Sequence, residues 1–156
     1  MSEVKFKAGP AWSEDDSKLV YRESEHSFDV LGRAAGGISS LLVEDLNLEL
    51  DDQGRVLYAW GLCPRTQWVQ ASLRPPRAER RKLLVTSGAP ETPGTSRRLG
   101  AGGHWSALVS NDGAWVCIAN SPAEEEQEAV EFMPGAIAVL DHLNRLKALW
   151  LRLDLV

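Results

Sequence analysis

Across residues 41–62, read LLVEDLNLELDDQGRVLYAWGL, apolar and polar positions alternate. Leu42, Leu46, Leu48 and Leu50 fall on one face at period two, with Asp45, Asn47 and Glu49 on the other, as a half-buried strand requires. The DDQG tetrad that follows reads as a tight turn and RVLYAWGL as the returning strand, so the segment predicts a hairpin. The same pattern recurs near the end of the sequence, where AVEFM, AIAVL and RLKALWLRL read as strands. Pro134 and Gly135 suit the centre of a type II turn between the first two, and DHLN joins the second to the third.

Between these regions TQWVQASL, RKLLVTS, HWSALVS and AWVCIAN are short, apolar and bounded by turn formers, with NDG at residues 111–113 linking the last pair. VKFK and KLVYRE give weaker strand signals, and SFDVLGRAAGG fits more than one state. One short helix is expected from Ser121, with Pro122 at its first position and Glu124 completing a capping box. The pattern therefore predicts a mainly β fold in one domain over residues 1–156: an antiparallel sandwich or barrel of about ten short strands with one or two short helices. RVLYAWGL and AWVCIAN are apolar on both faces, which places them as central strands covered on each side. Residues 87–104 show no period and read as a long irregular loop.

Charge narrows the choice of partners. With 22 Asp and Glu against 17 Lys and Arg, the formal charge of −5 disfavours nucleic acid and suits a basic protein partner. Neither a leader pattern nor a run as long as a membrane span is present, so no membrane contact is expected and the cytoplasm is the expected compartment. Cys63 and Cys117 are then expected as thiols. Metal and cofactor motifs are missing, and none is expected to bind.

Several residues are candidates for a ligand or partner site. Glu44 shares the phase of the inward leucines, where a carboxylate is costly unless paired, and such groups mark sites as well as structural ion pairs. Arg97 and Arg98 precede the glycine-rich GAGGH of residues 100–104, a composition able to form an anion-binding nest, although no helix follows and a plain surface loop is the simpler reading. The cationic stretch RPPRAERRK, residues 74–82, reads more simply as a solvated connection. Trp60, Trp105, Trp115 and Trp150 are candidates for the wall of a cavity, with core packing as the alternative. His104 completes the set, and paired with Glu44 as acid and base it gives the weakest of the readings, an enzyme.

Since no nucleophile and base share a motif, binding is preferred to catalysis. The expectation is a non-enzymatic cytosolic binding protein, an acidic inhibitor or immunity-like domain for a basic partner. The alternative is a β-barrel holding a small apolar or aromatic ligand in a tryptophan-lined pocket.

Overall fold

A computed structural model describes residues 3–32, 36–100, 105–120 and 127–156. The described chain runs through β1 (Lys5–Ala11), β2 (Lys18–Arg22), β3 (Ser27–Leu31), β4 (Ser39–Val43), β5 (Leu46–Leu50) and β6 (Val56–Leu62). It continues with β7 (Val69–Ala71), β8 (Glu79–Ser87), β9 (Ser96–Arg98), β10 (Ser106–Ser110), β11 (Trp115–Ala119), β12 (Glu128–Met133), β13 (Ala136–Leu140) and β14 (Leu146–Arg152). An eight-stranded sheet has the order β1-β8-β12-β13-β14-β11-β10-β7, and a six-stranded sheet the order β2-β3-β6-β5-β4-β9.

The fold is mainly β, as expected, and takes the sandwich form: the sheets pack together without closing into a barrel. The expected all-antiparallel pairing is corrected, because β8 with β12, β7 with β10 and β4 with β9 run parallel. Each of these pairs joins strands far apart in sequence, where the hairpin logic of local turns does not reach. The helical pieces among the described residues are two three-residue 3-10 turns, Glu23–Glu25 and Arg65–Gln67. Residues 121–126, where the helix was expected to start at Ser121, lie outside the described residues, and chain from Glu128 is strand.

Three anticipated turns form with glycine at positive φ: Gly54 after β5, Gly113 after β10 and Gly135 after β12. The strand expected through Glu44 is instead broken by a two-residue turn, since Val43 pairs with Leu46. Glu44 adopts φ 52° there. Leu41 and Val43, not Leu42, therefore join Leu46, Leu48 and Leu50 in the core. The loop expected over residues 87–104 also contains structure, for β9 is held beside β4 by Leu99 N–H donating to Leu42 O at 2.8 Å and Ser40 N–H to Thr95 O at 3.2 Å.

Phe6, Tyr21, Phe28, Leu48, Leu83, Phe132 and Leu149 lie in the core between the sheets. A second cluster of Cys117, Ile137, Val139 and Trp150 covers the other face of the large sheet, with Leu73 and Ala78 of the β7–β8 connection packed on it. This second layer explains why β11, β13 and β14 are apolar on both faces.

Candidate ligand clefts beside Trp105

The sandwich separates the tryptophans that were expected around one cavity. Trp60 lies on β6 opposite Asn47, is 38% exposed and donates its indole N–H to Glu49 Oε2 at 3.0 Å. Trp115 and Trp150 belong to the cluster on the outer face of the large sheet. Trp105 is in the inter-sheet core. A cavity lined by all four requires a closed barrel, and the open sandwich gives them no common interior.

Other candidates do converge. Glu44 Oε1 accepts the Trp105 backbone N–H at 3.0 Å, and the Glu44 carbonyl accepts from Arg98 Nη1 at 2.9 Å. The carboxylate expected on the core face is exposed at the turn, where it ties the β4–β5 hairpin to the start of β10 and to β9. Arg97 donates from Nη1 to Gly88 O at 2.8 Å. His104 lies outside the described residues.

Trp105 is a shared wall between two clefts. The first, of ≈350 Å³, has Val43, Leu46, Cys63, Ala107 and Ile118 among its apolar lining and Glu44 and Asp45 on its border. Leu62 and Val69, which also line it, are 52% and 61% exposed. Cys63 accepts a hydrogen bond at Sγ from Trp68 Nε1 at 3.3 Å, but burial pushes its thiol up to about 11. Burial likewise pushes Cys117 up to about 12, so both thiols are protonated near neutral pH and poor nucleophiles.

The second cleft, of ≈340 Å³, lies where the start of β1, the end of β9, the end of β11 and the start of β14 meet. Arg97, Arg98, Arg145 and Lys147 line it, with Glu3 as the one carboxylate of the lining. Arg145 and Lys147 are held by the buried Asp141, Arg145 through Nε at 2.9 Å and Lys147 through Nζ at 3.9 Å. Asp141 itself accepts the N–H groups of Leu143 and Arg145 at 2.8 and 2.9 Å, so the β13–β14 turn fixes the direction of these cations. Neither Arg97 nor Arg98 has a carboxylate partner among the described residues. Two buried polar atoms of the lining residues make no hydrogen bond, Trp105 Nε1 and Asn120 Oδ1.

Arg97, Arg98 and Trp105 were legible as candidates, whereas Asn120, Arg145 and Lys147 were not. The i, i+2 spacing of Arg145 and Lys147 on one strand was the available signal, but only the sandwich brings that strand beside β9. The chain matches no family model, no curated protein and no solved structure.

Proposed function

We propose that the protein is a non-enzymatic binding domain that engages a basic protein partner, in the manner of an inhibitor, through the acid-bordered apolar cleft beneath the β4–β5 turn. The observation that carries this reading is the pairing of exposed Leu62 and Val69 with Glu44 and Asp45 around one apolar recess. An apolar side chain of the partner fills the recess, and a flanking Lys or Arg meets the carboxylates. The wider field has the same sign: residues 12–62 carry eleven Asp and Glu against four Lys and Arg. Such a field accelerates encounter with a cationic surface and weakens as salt screens it.

The reading is tested by titrating the protein with peptides in which Lys or Arg flanks Leu or Phe, and with matched peptides carrying Glu in place of the cations. Basic peptides are expected to bind saturably, to lose association rate as salt rises, and to fail against a Leu62→Asp, Val69→Asp variant that still folds. Equal binding of the acidic peptides, or none by either set, overturns the proposal.

A further inference from the structure

We infer that the second cleft is a binding site for a small phosphate monoester, independent of the protein-partner reading and on the other side of Trp105. Among the described residues, four cations and one carboxylate, Glu3, line the recess, in a chain whose overall charge is −5. Asp141 and Glu3 neutralise part of the charge on Arg145, and Asp141 that on Lys147, but among the described residues the guanidinium groups of Arg97 and Arg98 are bonded only to the carbonyls of Gly88 and Glu44. A guanidinium so placed keeps its charge and further N–H donors for an anion, and its planar fork matches phosphate oxygens.

A second, independent observation is the pair of unmet hydrogen-bonding atoms. Trp105 is only 8% exposed, yet its indole N–H has no acceptor among the described residues. A Cβ placed on Gly100 would come within 2.9 Å of that nitrogen, so the N–H edge of the ring faces Gly100, itself a residue of the cleft lining. Gly100 has φ +68°, a conformation glycine adopts without strain, and it lets backbone approach the indole edge closely. Asn120 Oδ1, in the same lining, has no donor among the described residues. Buried polar groups are nearly always satisfied, and two exceptions in one wall mark a place where a ligand completes the bonding. The phosphate lies among Arg97, Arg98, Arg145 and Lys147. The uncharged remainder of the ligand offers an acceptor to the indole N–H and a donor to the Asn120 amide, and a recess of ≈340 Å³ is in the range that holds a small organic molecule.

The test follows the Trp105 indole N–H signal by nitrogen-15 NMR, assigned with Trp105→Phe, while inorganic phosphate, adenosine 5′-monophosphate, adenosine or acetate is added at constant ionic strength. Both phosphates are expected to shift the signal saturably, the monoester with the higher affinity, while adenosine and acetate do not. Arg97→Gln with Arg98→Gln, in a variant that still melts cooperatively, is expected to weaken monoester binding at least about tenfold. Arg98→Gln alone, at an exposed position, gives the same direction if the double variant unfolds. No saturable shift up to about 10 mM, a concentration beyond useful affinity, overturns the site. An equal response to acetate, or full affinity in a folded arginine variant, does so too.

Discussion

Asp141 shows how much one side chain organises. Its carboxylate is fully buried at the β13–β14 turn, where it accepts two backbone N–H groups and the Arg145 guanidinium. Burial alone would raise its pKa, but the bonds from the Arg145 N–H and guanidinium and from the Leu143 N–H outweigh burial and hold it below the ordinary 3.8. The native pKa is thus the depressed one, so this stabilisation is complete above 3.8 and disappears as pH falls from there through the native value. Asp141→Asn is expected to lower stability at pH 7 by about 1.5–3 kcal/mol, the usual worth of bonds to a charged group. In urea melts the gap between variant and parent should narrow only below pH 3.8, and a gap unchanged down to pH 2 would refute the assignment. The sequence marked DHLN as a turn, but Asp141 held no special place in it, because its two cations are recognisable as partners only once the strands pair.

At the scale of elements, the β4–β5–β6 meander was legible in outline and wrong in one detail. Glu44 and Asp45 form a turn without glycine, proline or asparagine, so the period-two pattern ran straight through them. A register slip between Glu49 and Leu50 in the β5–β6 pair then places Val56 and Ala59, three apart, both in the core. β9 was missed for another reason: Ser96–Arg98 has little apolar content and is held as an edge strand by its backbone bonds to β4. Gly61, opposite Leu46, has φ +129°, and a Cβ there would sit 2.6 Å from the Asp45 carbonyl. Gly61→Ala is therefore expected to cost about 1–3 kcal/mol, through backbone strain and displacement of the turn. Urea denaturation checks it, and a loss below about 0.5 kcal/mol, the range of ordinary surface changes, would mean that the turn yields freely.

For the whole molecule, the sequence announced a β-rich domain whose strands RVLYAWGL and AWVCIAN are central and covered on both sides. AWVCIAN is so covered. RVLYAWGL is central but leaves Trp60 and Leu62 exposed, because among the described residues no second layer packs on the outer face of the smaller sheet there. Strand order and parallel neighbours were not legible, since nothing local in β8 or β12 names the other as its neighbour. The outer layer on the large sheet is a structural component and not a decoration, because Trp150 packs there with Cys117, Ile137 and Val139. Trp150→Ala is expected to destabilise by about 3–5 kcal/mol, as large-to-small changes at buried aromatic sites do. Chemical denaturation measures it, and a cost near that of a surface substitution would show that the layer contributes little. The position of β14 has a consequence for how the protein comes into being. It lies between β13 and β11, so without it the large sheet is two fragments, β1-β8-β12-β13 and β11-β10-β7. Among the described residues β14 follows the other thirteen strands in the sequence, so the ribosome makes it after them. Until β14 is made, the nascent chain carries open strand edges at β13 and β11 that invite pairing with a neighbouring chain, the kind of exposure that chaperones guard.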